Sequence, residues 1–189
     1  MHSGWGVLVA VSGDTDLLEV VLRSRIVVTD ASLPGGKQPY HYAAELSSDK
    51  SEQHISICSA ISEALALATI RVSLQELNKH QYRVTSSAVL MASGRALPSL
   101  PEILASHPLI HTAEGEFFRN VAIKACDELK IPVTQIRERE LEERAKSAFG
   151  RSAAQVTRKI SAMGASLGPP WTADHKAAAL AALLTLKNL

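Results

Sequence analysis

Short apolar runs separated by turn residues open the chain, and a long stretch with helical spacing follows them. The run from Trp5 to Ser12 ends in a Gly-Asp-Thr-Asp cluster, which predicts a β-strand closed by a turn. Alternating residues over 19–29 predict a second strand, paired with the first in a hairpin. Residues 40–46 are interpreted as a third strand. Apolar residues spaced by three or four over 52–77 then predict a long amphipathic helix.

The second half of the chain alternates strand and helix patterns. An apolar run over 82–91 predicts a strand buried on both faces, and His107-Pro108 should end a short helix over 99–105. The other predicted elements are a helix over 116–130, a strand over 131–136, and helices over 137–148, 153–163 and 173–186. Strands alternating with helices imply a parallel portion of sheet covered on both faces. Residues 1–189 are predicted to form a single domain.

Composition and charge narrow the function classes only a little. Hydrophobic residues make up 46% and charged residues 21% of the chain, which is typical of a globular protein rather than a disordered one. The net charge of +1 provides no global basic field for nucleic acid, although it is compatible with a local basic patch. Cys58 and Cys126 are expected to be buried thiols of an intracellular protein. No apolar run is judged long enough to cross a bilayer, so the expected location is the cytoplasm.

The last third of the chain carries an ordered series of motifs. Gly150 precedes a helix that carries Gln155 and Lys159, a Gly-Pro-Pro-Trp loop follows, and Asp174 opens an Ala/Leu-rich helix. Together with the earlier Lys-Ile-Pro-Val strand, this order resembles the Holliday-junction resolvases of the ribonuclease H-like superfamily. The resemblance implies an α/β fold with a ribonuclease H-like mixed sheet. In that sheet three antiparallel strands lead into parallel strands, and helices flank both faces.

The resemblance also implies a site in which carboxylates hold Mg²⁺ or Mn²⁺ against a scissile phosphate. Asp174 matches the acidic ligand at the start of the last helix, so it is the candidate catalytic and metal-binding residue. The rest of the family's acidic set is missing. Ser12 ends the first strand, no acid follows the strand that ends near Met91, and Ala177 stands three residues after Asp174. The alternative is that Asp174 only caps its helix.

A second group of candidates lies on both sides of Gly115. His111, Glu114 and Glu116 are placed at a predicted helix entrance, where free N–H groups bind phosphate. Glu114 and Glu116 could replace the missing carboxylates, with Glu114 on the metal and His111 as third ligand or general base. Alternatively, the two glutamates only offset the helix dipole while His111 caps or packs. Arg119, and Lys176 on the last helix, are candidate phosphate contacts.

A third group occupies the loop over 34–41, which reads Pro-Gly-Gly-Lys-Gln-Pro-Tyr-His. Lys37 could bind a phosphate, Tyr40 could stack on a base, and His41 could titrate near neutral pH. The loop lacks the Gly-x-x-x-x-Gly-Lys-Ser/Thr spacing of a phosphate-binding P-loop. Arg95, after the fourth strand, is a similar anion-binding candidate. The alternative is an ordinary surface turn.

Three hypotheses of function follow from these groups. The first is a divergent metal-dependent endonuclease that acts on nucleic acid with Asp174 and Glu114 at its ion. The second is a catalytically inactive protein of ribonuclease H-like or actin-like fold that acts as a binding or assembly partner. Its apolar last helix could contact another protein or a second copy of the chain, although burial of this helix in the core is the plainer interpretation. The third is an enzyme for a phosphate-bearing ligand that uses Lys37 and His41. A membrane is not among the expected partners.

Overall fold

The first two predicted strands form an antiparallel hairpin. The computed structural model describes residues 1–92 and 96–187. Strand β1 (Trp5–Ser12) pairs with β2 (Glu19–Val27), with a shift of register after Ala10. The connecting turn needs Gly13, because φ there is 88°, a conformation that costs glycine little. The Asp14 carboxylate closes the turn by accepting two backbone N–H groups at 2.8 and 2.9 Å.

The second pair of strands is parallel and forms a separate sheet. Strand β3 (Ser87–Met91) pairs in register with β4 (Val133–Arg137), and β3 is shorter than the strand predicted over 82–91. Within the described residues the strands make two two-stranded sheets, β1-β2 and β3-β4. The predicted ribonuclease H-like mixed sheet, with three antiparallel strands followed by parallel ones, is therefore wrong.

The predicted third strand is a short helix, which explains the missing member of the first sheet. Helix α1 spans Pro39–Ala43. Pro39 stands in its first turn, where the absent N–H would have no helical partner in any case. Pro39 and Ala43 are both buried, and residues four apart share one face of a helix. Burial of that face overrides the weak strand pattern over 40–46.

Helices make up most of the remaining described chain. After α1 they are α2 (Ser48–Lys79), α3 (Leu100–Leu104), α4 (His107–Glu128), α5 (Leu141–Phe149), α6 (Ala153–Ala162), α7 (Gly164–Leu167) and α8 (Ala173–Lys187). The helix predicted over 116–130 begins much earlier, at His107. Pro108 does not prevent this start, because proline is tolerated in the first turn of a helix.

Two apolar clusters hold these elements together. One joins β1 to α5, α6 and α8, with Ile160 and Leu183 among its most buried side chains. The other joins β2 to α2 and α4 around Phe118. Leu183 and its neighbours on α8 are thus core residues, as the plainer interpretation of the last helix expected. A small cluster that includes Ile103 and Ile110 fixes α3 on α4.

Helix α2 bears on the expectation that no apolar run is long enough to cross a bilayer. Within the described part of the chain, it is the helix whose length and composition would allow it to cross a membrane, with only 22% of its most apolar window buried. Cys58, Ala66 and Ile70 of this helix nevertheless pack into the cluster around Phe118. A helix that lines a protein core passes the same test of length and composition.

Candidate metal centre

Three histidine side chains converge where α1 meets the start of α4. His107 and His111 are four residues apart on α4 and therefore share one face of that helix. His41 reaches them from α1. Each histidine offers one ring nitrogen, and these three atoms lie within 4.8 Å of one another. The ring centroids are 4.4 to 5.4 Å apart, with edge-to-face orientations. We call these three residues the histidine cluster.

A buried carboxylate supports the histidine cluster from behind. Glu114 lies on α4 and is only 5% exposed. Its Oε1 accepts the backbone N–H of His41 at 3.1 Å. The same oxygen lies 2.9 Å from Nδ1 of His41, off the line of a hydrogen bond. Glu114 therefore holds the backbone of His41 through a hydrogen bond, and its carboxylate lies against the imidazole without bonding to it.

Tyr40 closes the buried side of this arrangement. Burial raises the pKa of the Tyr40 phenol, and the nearby Glu114 carboxylate raises it further. The phenol therefore stays neutral at physiological pH. The Tyr40 ring packs edge-on against Phe117, with the centroids 6.2 Å apart. Tyr40 is half-buried, and the base-stacking role predicted for it stays a prediction.

A polar cleft opens beside the histidine cluster. Its volume is about 360 Å³, and it is lined by Met1, His2, Ser3, Trp5, His111, Glu114 and Gly115. His2 stacks on Trp5 with the ring centroids 4.3 Å apart, and the Arg25 guanidinium lies 4.2 Å from the Trp5 ring. A group bound in this cleft would contact His111 directly and would meet mostly polar atoms.

The bonding partner of Asp174 is His2, which is not a member of the histidine cluster. It stands in the first turn of α8 and forms an ion pair with His2 at 2.9 Å, in which both side chains are more than 40% exposed. Helix α8 begins at Ala173, so Asp174 is not the residue that caps it. Among the described residues, no group of three metal-ligating side chains includes Asp174 or Glu114. The described residues thus form no three-ligand site around either of the two predicted carboxylates.

The start of α8 is instead organised by His175. This side chain is buried, and its Nδ1 accepts the backbone N–H of Thr172 at 3.3 Å, with the Thr172 hydroxyl at 2.8 Å. Burial lowers the pKa of His175, and the Arg23 guanidinium lowers it further, against an opposing effect of Asp174. A neutral imidazole is the form that can accept at Nδ1.

The other predicted residues occupy varied positions. Glu116 is buried, and its Oε1 has no hydrogen-bond partner. Arg119 donates from Nε to the Leu90 carbonyl at 2.8 Å, so it ties α4 to β3. Lys37 is exposed and Lys176 is half-buried. Arg95 lies outside the described residues.

The predicted helix entrance is wrong, because α4 starts at His107 and places His111, Glu114 and Glu116 inside the helix. Their N–H groups bond within the helix and are not free for phosphate. His107 was not among the predicted site residues, because His107-Pro108 was interpreted only as the end of the preceding helix. The His-x-x-x-His spacing of residues 107 and 111 would have revealed the pair once a helix was predicted there.

Comparisons with known proteins add no relative to this description. No protein-family model matches the chain, and no curated protein or solved structure matches it. The resemblance to resolvases remains a prediction from motifs, and the chemistry is argued from the geometry of the site.

Proposed function

We propose that this protein is a metal-dependent hydrolase whose divalent ion is held by His41, His107 and His111. The observation that carries the proposal is the approach of three ring nitrogens to within 4.8 Å of one another. Imidazole nitrogen suits zinc and its neighbours, whereas Mg²⁺ and Mn²⁺ favour oxygen ligands. The donor set therefore favours zinc over the Mg²⁺ or Mn²⁺ predicted from the sequence.

The separation of the nitrogens suits such an ion after a small adjustment. Tetrahedral zinc with Zn–N bonds of about 2.0–2.1 Å places its ligand nitrogens about 3.4 Å apart. His107 and His111 are exposed, so their side chains have room to rotate toward a common ion. The Glu114 carboxylate lies 2.9 Å from Nδ1 of His41, so we take Nε2 as the ligand atom. In metal sites the second ring nitrogen commonly donates to such a carboxylate, and a small rotation of the His41 ring would form that bond.

Three protein ligands leave one coordination position for water, as in catalytic zinc sites. A zinc ion held by these histidines would lower the pKa of a bound water to about 7 and so supply a nucleophile at neutral pH. His111 lines the polar cleft, so an ion held by His111 would lie beside a space where a polar substrate can bind. We assign phosphodiesters as the substrate class, in keeping with the nucleic-acid substrate predicted from the sequence.

The metal site is tested by titrating the metal-free protein with Zn²⁺ in a calorimeter and by following the melting temperature. We expect one ion per chain and a stabilisation of about 2.7 kcal/mol at a zinc concentration 100 times the dissociation constant. His107→Ala should lose both signals. His80→Ala is the matched control, because His80 is an exposed histidine on α2's C-terminal side. Equal zinc binding by wild type and His107→Ala would overturn the metal site.

The hydrolytic step is tested separately with an activated phosphodiester. Zinc-loaded wild type should cleave it, and both the metal-free protein and His107→Ala should not. A zinc-loaded protein that binds one ion and leaves activated phosphodiesters, phosphomonoesters and carboxyl esters intact would reject the hydrolase and leave only a metal-binding protein.

A further inference from the structure

A large cavity lies between the two sheets. Its volume is about 690 Å³. Residues 7–13 of the β1 region and residues 82–90 of the β3 region line it without a gap in sequence. We call it the inter-strand cleft. It is separate from the histidine cluster, and the role inferred for it does not depend on the proposed hydrolase.

The unbroken run of lining residues shows which part of each strand faces the cleft. Side chains of a strand alternate between its two faces, so a cavity on one face would be lined by every second residue. A run of consecutive residues instead means that the backbone edge faces the cavity. The other edge of β1 is bonded to β2, and the other edge of β3 is bonded to β4. Within the described residues, β1 and β3 belong to different sheets and form no ladder with each other.

Contacts at the two ends fix the relative direction of these edges. At one end, Tyr82 bonds Glu19, which pairs with the last residue of β1. At the other end, Met1 lines the cleft together with Arg119, which bonds the Leu90 carbonyl near the end of β3. Strands β1 and β3 therefore run in opposite directions. One strand placed between them would be antiparallel to one edge and parallel to the other, and it could bond to both.

The walls above and below the cleft are apolar. On one side α8 presents small residues, including Ala177, Ala178 and Ala181, and on the other α2 presents Ile70 and Leu74. The charged side chains that line the described cleft are Arg83, Arg119, Glu138 and Asp174, from the segments that close its two ends. A strand buried on both faces is apolar throughout, so the matching occupant is uncharged in its middle.

The volume sets the length of that occupant. A strand residue rises about 3.3 Å, neighbouring strands lie about 4.8 Å apart and packed layers about 10 Å apart, which gives about 160 Å³ per residue. The cleft therefore has room for roughly four residues of a buried strand.

We propose that the inter-strand cleft binds one extended, apolar peptide segment of a partner protein. The peptide donates and accepts backbone hydrogen bonds along the free edges of β1 and β3. It thereby joins the two sheets in the order β2, β1, peptide, β3, β4. This is recognition by strand addition, in which the backbone provides affinity and the apolar walls select the side chains.

The test uses a labelled peptide with four consecutive Val or Ala residues between polar ends. We expect it to bind and to slow hydrogen exchange of backbone amides in both β1 and β3. A peptide of equal length with Pro at alternate positions should bind at least about tenfold more weakly, because Pro cannot donate to a ladder. Equal binding of the two peptides, or protection confined to one strand, would overturn the proposal.

Two protein variants and one fusion complete the test. Ala178→Leu fills the cleft and should weaken binding at least about tenfold, whereas Ala154→Leu, at an exposed position of α6, should not change it. The same peptide fused ahead of Met1 by a Gly/Ser linker should protect β1 and β3 without added peptide, since Met1 lines the cleft.

Two outcomes would replace the proposal with another arrangement. Amides of β1 and β3 that are already protected in the free protein at low concentration would mean that the two edges pair with each other. Protection that appears only as the protein concentration and the sedimentation coefficient rise would mean that a second copy fills the cleft.

Discussion

The histidine cluster and the start of α8 hold the same kinds of side chain and differ in how these are arranged. At the cluster, three imidazoles converge and a carboxylate that is 5% exposed lies behind them. At α8, Asp174 meets His2 alone, and both side chains are more than 40% exposed. Buried charge beside His41 has few solvent dipoles to screen it, whereas the exposed pair is screened on all sides. Convergence and burial therefore distinguish a ligand site from a surface ion pair.

The position of each group in its helix explains the difference. Two histidines one turn apart on α4 project toward the same side, and α1 docks there through Pro39 and Ala43. Asp174 stands in the first turn of α8, where a negative charge is favourable against the helix dipole without any ion. Helix stability does not explain why three imidazoles converge at the histidine cluster. The position of Asp174, by contrast, is explained by its favourable interaction with the dipole of α8.

The largest effect on zinc affinity is expected when the charge behind His41 is removed. Glu114→Gln keeps an oxygen for the His41 N–H but removes the negative charge beside Nδ1. Because such supporting groups set 10- to 100-fold of metal affinity, we expect the zinc dissociation constant to rise by about that factor. Calorimetric titration measures the change.

Glu116→Gln is the matched control for that experiment, because Glu116 is a second buried glutamate on α4 and its Oε1 has no hydrogen-bond partner among the described residues. Its zinc affinity should stay within about threefold of wild type, well inside the effect of a supporting group. Equal losses in both variants would mean that Glu114 acts through the fold of α4 and not through His41.

A smaller effect is expected at the start of α8. Asp174→Asn removes the ion pair with His2, and exposed pairs of this kind contribute about 0.2–1 kcal/mol. Zinc affinity should stay at the wild-type level. Urea unfolding and the zinc titration measure the two expectations. A loss of zinc binding comparable to that of His107→Ala would place Asp174 at the ion after all.

The smallest effect is a dependence of stability on pH that arises at α8. The pKa of His175 is lowered in the folded protein, so the unfolded chain binds the proton more tightly. The contribution to stability is present above the ordinary histidine pKa of about 6.5 and is lost as the pH falls through that value toward the lower folded pKa.

Melting temperatures of the zinc-free protein between pH 8 and pH 5 measure this slope. His175→Asn keeps an acceptor that does not titrate, so its profile should be flatter than that of wild type in the same range. An unchanged slope in this variant would assign the pH dependence to other groups, among them His54, whose pKa burial also lowers.

Some elements could be predicted because their patterns are local. The β1–β2 hairpin follows from two apolar runs around a turn with a glycine at positive φ, and α2 follows from a long helical spacing. Helix α1 could not be predicted in the same way, because five residues carry too little pattern. Its helical state depends on docking Pro39 and Ala43 against neighbours that are distant in sequence.

The candidate site could be predicted only in part, because it also depends on residues that are distant in sequence. His41, His111 and Glu114 were each singled out, but in two separate groups with different expected roles, and His107 was missed. Nothing in the local sequence states that residues 41 and 111 lie side by side. The carboxylate site around Asp174 was expected by analogy with a sheet that the chain does not form.

The hairpin, the long helices and most of the residue types available for chemistry could be predicted from the sequence, because they depend on spacing within one segment. Which of these residues meet depends on tertiary packing. The packing of α1 on α4 brings three imidazoles together, and the separation of the two sheets leaves two strand edges facing one cleft. Both features join residues far apart along the chain, and such contacts follow from the burial of apolar surface over the whole molecule.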